Sequence, residues 1–125
     1  MDKKYVIISL LYALTGLILG TIMAATKNHG HMVTHAHIML LGFVTSFIYA
    51  VCYKLWITNG ATKIALLQFL LHQLGTLLLL TGLFLMYAQI VPGDKLAPMM
   101  ASSSIAIILS LILMIYQLIF QKKRN

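Results

Sequence analysis

His35 and His37 stand two residues apart in Val33-Thr34-His35-Ala36-His37, at the mouth of a long apolar run, and imidazoles in that setting are the groups best suited to chemistry in this chain. An ionisable side chain inside a membrane segment is costly to bury and is by default a functional-site candidate; imidazole is also a common metal ligand. Residues two apart on a helix are separated by ~200° of rotation, so the two rings point to nearly opposite faces. They cannot ligate one metal from a single regular helix, but they suit a helix wedged between two cofactors. If the helix begins only after His37, the same pair can instead chelate one ion from an irregular loop.

Just ahead of them lie His29, His31 and Met32, which with His35 and His37 form a His/Met cluster of the kind that suits copper, zinc or nickel. The spacing matches no closed structural zinc site; for His29 and His31 the competing expectation is a solvated loop, and for His35 and His37 it is interhelical hydrogen bonding. His72, within Leu71-His72-Gln73-Leu74-Gly75, is the remaining histidine and a further candidate ligand. It falls ~12 Å from one membrane boundary and ~12 Å from His37 along the bilayer normal, which separates it in height from the pair. A hydrogen bond to Gln68, Gln73, Thr76 or a neighbouring helix is the alternative for its ring.

Asp2 and Asp94 are the only acids, and no nucleophile stands beside a base in sequence, so nothing in the residues points to hydrolytic catalysis. Cys52 is the only cysteine. There is then no intrachain disulfide and no CxxC or CxxCH motif, any haem is non-covalent, and Cys52 reads as a buried, inert thiol.

These residues must be positioned by membrane helices. Of the 125 residues, 61% are hydrophobic and 9% charged, far from an ordinary soluble domain. Apolar runs at about 5–26, 33–57, 64–91 and 97–120 each meet the ~20 residues needed to cross a ~30 Å hydrocarbon core. The expected fold is all-α, a single four-span transmembrane domain over 1–125, with short connectors that impose an up-down-up-down bundle. Asn59-Gly60 and Pro92-Gly93-Asp94 supply the turns. The first run follows Lys3 and Lys4 as a signal peptide would, but it is too long for a typical apolar signal core and reads as a retained helix.

The net charge of +7 raises nucleic acid as a partner, yet the basic residues flank spans instead of forming a groove, so the partner is membrane lipid. Lys3, Lys4, Lys54, Lys63, Lys122, Lys123 and Arg124 fall on one side of a four-span chain, and Lys27 and Lys95 on the other. The positive-inside rule then puts both termini in the cytoplasm and the histidine-rich end of the second helix at the outer leaflet.

Gly16 and Gly20 make a GxxxG pattern suited to close helix packing. Pro98 is expected in the first turn of the fourth helix, with Ser102, Ser103 and Ser104 as small polar surface for interhelical contact. Met39, Met86, Met99, Met100 and Met114 are expected as adaptable packing, and Tyr49, Tyr53, Trp56 and Tyr87 as interfacial belts.

The segment His35-Ala36-His37-Ile38-Met39-Leu40-Leu41-Gly42-Phe43-Val44, continuing to Tyr53, resembles the haem-ligating helix of the catalytic subunit of haem-copper oxidases and nitric oxide reductases. The likeness is closest to the His-x-His-x4-Gly-aromatic-Val pattern of the C-type oxidases. It implies His35 as axial ligand of a high-spin haem and His37 of a low-spin haem. The whole chain also looks like small four-helix bacterial proteins grouped with that subunit, which implies a bacterial cytoplasmic membrane. A full catalytic subunit has three groups of four helices, and this chain is the size of one. It has no His-Pro-Glu-x-x-Tyr motif and no adjacent His-His pair. Oxidoreductase activity on oxygen is therefore not implied.

The function expected is a b-type cytochrome that binds haem b for electron transfer or diatomic gas chemistry, with a redox partner that the sequence does not name. The alternatives are a copper-binding membrane protein using the outer cluster, or an accessory subunit without cofactor. With His35 and His37 on opposite faces, the threefold grouping implies a homotrimer with haem at each interface, and a twofold dimer is the other option.

Overall fold

The computed structural model describes residues 1–57 and 62–120. The chain forms four long helices: α1 (Asp2–Thr26), α2 (Met32–Leu55), α3 (Lys63–Tyr87) and α4 (Gly93–Phe120). All four are long and apolar enough to cross a membrane, and among the described residues there is no strand. They make an up-down-up-down bundle in which α1 packs along α2, α3 packs most extensively against α4, and α2 joins the two pairs. The expected turn at Asn59-Gly60 and the basic residues Lys122, Lys123 and Arg124 lie outside the described residues.

Local signals set the ends. Lys27 closes α1 in the left-handed conformation, φ 55°, a helix stop usually supplied by glycine. The Asn28 side-chain oxygen accepts from the Gly30 N–H at 3.0 Å and tightens the outer connector. Thr62 caps α3 by accepting from the Ala65 N–H at 3.1 Å. The turn after α3 falls earlier than the Pro-Gly-Asp signal implies, with Gln89 at φ 60°. Gly93 and Asp94 are already helical, so Pro98 lies in the second turn of α4 rather than the first. One backbone hydrogen bond, to the Asp94 carbonyl, is forfeited there.

Polarity runs inside-out, as hydrocarbon solvent requires. Ser9, Ser46, Gln68, His72, Thr76, Ser110 and Gln117 are fully buried, while Leu17, Leu74 and Ile108 are more than half exposed and face lipid. The buried residues recur at seven-residue steps: Ser9, Gly16 and Met23 on α1, and Leu96, Ser103, Ser110 and Gln117 on α4. That period keeps one seam of each helix on its neighbour. Tyr5, Tyr49 and Tyr53 form the aromatic part of the packed core with Cys52, Ile57, Ala65 and Met114.

Glycines and methionines complement each other. A Cβ on Gly16 would meet the Met39 sulfur, and one on Gly82 would meet Met100 and Met99. The GxxxG surface thus serves packing, with Gly16 and Gly20 holding α2 against α1, and the methionines fill irregular gaps as expected.

Residues Ile38–Thr45 of α2 are wound as a π-helix between two α-helical segments. The Thr45 hydroxyl donates to the Leu40 carbonyl at 2.8 Å, five residues back rather than the usual four. In a regular helix His35 and Ser46 would share a face, separated by roughly 20°. The wider winding carries Ser46 off the stripe of His35, Met39 and Gly42 that faces α1 and turns it toward α3.

Candidate functional site

Because α2 begins at Met32, both His35 and His37 are helical, and chelation of one ion from an irregular loop is ruled out by this geometry. His35 turns to α1. Its Nδ1 lies 2.8 Å from the Gly16 carbonyl oxygen, and its ring covers Gly20, where an added Cβ would come within 3.0 Å of Cε1. His37 instead bonds its own helix, with Nδ1 2.8 Å from the Val33 carbonyl oxygen.

A carbonyl oxygen only accepts, so in each neutral ring Nδ1 carries the proton and Nε2 keeps a lone pair. This is the tautomer of a metal-ligating histidine whose far nitrogen is oriented by a backbone carbonyl. The two rings are prepared alike, on different sides of α2.

His72 has the opposite arrangement. It is fully buried, with Nε2 3.1 Å from the Leu41 carbonyl oxygen and 3.2 Å from Ser46 Oγ. Nε2 therefore donates, and Nδ1 is a buried atom without a partner. Its ring meets the edge of Tyr49 at 5.0 Å. The structure joins His72 to a neighbouring helix by hydrogen bonds and does not bring it to His35 or His37.

The outer residues disperse. His29 is exposed, and Met32 is 48% exposed. His31 stacks on Phe84 with ring centroids 4.7 Å apart and planes within 8°, which leaves its Nδ1 buried and unpartnered. Among the described residues no three His, Cys, Asp or Glu side chains come together.

A polar network missed by sequence reasoning runs through the core. The Gln68 side-chain oxygen accepts from the Tyr5 hydroxyl, and from the Tyr53 hydroxyl at 3.0 Å. Gln68 Nε2 donates to Ser110 Oγ at 2.9 Å, Ser110 donates to the Gln68 carbonyl, and Gln117 Nε2 donates to Tyr53 at 3.0 Å. Every helix contributes. Tyr49 and Tyr53 are consequently core residues, correcting their expected place in interfacial belts, whereas Trp56 and Tyr87 are exposed as a belt requires. Ser103 gives the expected interhelical contact, buried with its backbone against Gly75, but Ser102, Ser103 and Ser104 each donate their hydroxyls to α4's own backbone instead of bonding across helices. Ser110 and Gln117 take that role, and the signal for them was the seven-residue step from Ser103.

The chain matches no family model, no curated protein and no solved structure.

Proposed function

We propose that this chain is a membrane haem-binding protein of the b-type cytochrome kind, with His35 and His37 of α2 as the iron ligands. The observation that carries this reading is the shared protonation pattern: each Nδ1 is committed to a backbone carbonyl at 2.8 Å, leaving Nε2 to ligate. His72, with Nε2 engaged by Leu41 and Ser46, is the weaker third candidate.

Bound haem would supply one-electron transfer or diatomic gas binding. The chain's own residues supply orientation. The Gly16 and Val33 carbonyls fix ring tautomer and pitch, Gly20 gives the His35 ring room against α1, and the lipid-facing apolar surface keeps water away.

His35 and His37 face different sides of one helix, so a single protomer does not bring them to the same iron. A homotrimer in the bacterial cytoplasmic membrane, with His35 of one protomer and His37 of the next at each interface, gives every protomer the same surroundings. A twofold dimer would pair like histidines. The visible spectrum of purified protein, with haem quantified and the detergent-corrected mass measured on the same sample, tests both parts. A Soret band with reducible α and β bands in a trimer is expected. Bound copper without haem, or neither, overturns the haem assignment, and a monomer with fully bis-histidine haem overturns the interface.

A further inference from the structure

An open cleft of about 570 Å³ lies between the first turns of α1 and the last turns of α2, within the size range of ligand sites. Its apolar walls are Val6 from α1 and Phe47, Ala50 and Val51 from α2. Lys3 and Lys54, one from each helix and both exposed, line its outer end. Asp2 is the other charged residue there, with its carboxylate 3.7 Å from the Met1 ammonium and in the field of Lys54. The lysines outnumber it, so the outer end is cationic. Three further clefts of the bundle, between α1 and α3 and between α3 and α4, have no charged residue in their linings.

Charge and depth together define the occupant. Phe47 stands seven residues along α2 from Lys54, so the apolar wall reaches about 10 Å below the lysines into the hydrocarbon. A soluble anion would engage the lysines and leave that wall unused. A second copy of this chain is also a poor fit, because copies inserted the same way round meet at equal depth. Among the described residues the charges at this end are Lys3, Lys4, Lys54 and Lys63 against Asp2 alone. Cation would meet cation beside a surface of low dielectric. A lipid of zwitterionic headgroup brings its own ammonium to the same place, whereas a lipid of net negative headgroup brings only the complementary charge.

We propose that the α1–α2 cleft binds a phospholipid of net negative headgroup, of the phosphatidylglycerol class. Its phosphate sits between Lys3 and Lys54, and the upper part of one acyl chain lies along Val6, Phe47 and Val51. The site is at the opposite end of α2 from His35 and His37 and does not rest on haem being bound.

Trp56 is the only tryptophan, so full-length protein carrying Phe47→Trp with Trp56→Phe has a single indole, in the cleft. It is reconstituted in phosphatidylcholine vesicles with increasing shares of chain-brominated phosphatidylglycerol or, for comparison, chain-brominated phosphatidylcholine, and quenching of the indole reports which lipid occupies the cleft. A relative affinity on the order of tenfold in favour of phosphatidylglycerol is expected from two interfacial lysines. Leu66→Trp with Trp56→Phe puts the indole instead at a half-exposed position of α3 outside the cleft, three residues from Lys63. That reporter reads general attraction to the basic surface and should show a severalfold smaller preference. Lys3→Gln with Lys54→Gln should erase the excess at the cleft, while Lys27→Gln with Lys95→Gln, at the other end of the bundle, should leave it. If the first lysine pair prevents insertion, the two reporters in the otherwise intact chain still decide. Equal preference at both reporters, or an excess that survives loss of Lys3 and Lys54, overturns the proposal. So does relief of the cleft quenching by inorganic phosphate, which identifies a soluble anion, or its loss as protein is raised against lipid, which identifies a second copy.

Discussion

Ser46 Oγ and His72 Nε2 lie 3.2 Å apart across the α2–α3 contact, a pairing that depends on the π-helical winding of Ile38–Thr45. That winding turns Ser46 to His72 and Gln73 and sends Tyr53 to Gln68 and Gln117, while His35 above it stays on α1.

Deleting Val44 should return α2 to regular winding and rotate the part below it by ~100°, away from α3. The expected result is a bundle that still inserts but unfolds at lower temperature. In that background Gln68→Leu should cost less than in the intact chain, because Gln68 has already lost Tyr53 and keeps only Tyr5 and Ser110. Thermal unfolding of the four combinations measures the coupling.

Gln68 is the hub of the buried network, so Gln68→Leu in the intact chain strands Tyr5, Tyr53 and Ser110 together. A destabilisation of about 1–3 kcal/mol is expected, within the range for buried groups left unpaired. Leu67→Ala, at a half-exposed lipid-facing position next to it, should cost less. Reversible unfolding in mixed detergent gives both numbers.

Gly42 faces Tyr12 so closely that an added Cβ would fall 2.5 Å from the ring's Cγ and 2.9 Å from Tyr12 Cβ. The ring base cannot swing aside, so Gly42→Ala should force α1 and α2 apart at a cost of about 1–3 kcal/mol. Tyr12→Ala should recover part of that loss in the double variant, read as a rise in Tm relative to Gly42→Ala alone.

On the haem reading, His35→Ala and His37→Ala should each lower haem content or change the spin state. His29→Ala, which removes an exposed ring, should do neither. Full haem occupancy with an unchanged spectrum in the His35/His37 double variant would falsify the ligand assignment.

The proposed orientation rests on charge: Lys3, Lys4, Lys54 and Lys63 stand at one end of the bundle, opposite Lys27 and Lys95. With Cys52 replaced, a cysteine at Lys63 should resist impermeant reagents in intact cells and one at Lys27 should react. Labelling in the reverse pattern inverts the topology.

The sequence by itself determined the four spans, their antiparallel order and the opposition of His35 to His37, because apolar length and helical rotation are local properties. It also marked Cys52 as buried and Gly16 and Gly20 as packing surface, both found so. Tertiary structure alone decided where the rings of His35 and His72 are tied, since the Gly16 carbonyl lies 19 positions from His35 in sequence and meets it only when α1 and α2 pack, whereas His37 is tied within its own helix to Val33. It also decided that Tyr49 and Tyr53 turn inward to a hub built from Gln68, Ser110 and Gln117. Seven-residue spacing hinted at the residues of that hub. The rotation that joins them comes from one stretch of π-helix, whose winding depends on how α2 fits both neighbours and leaves no composition signature in Ile38–Thr45.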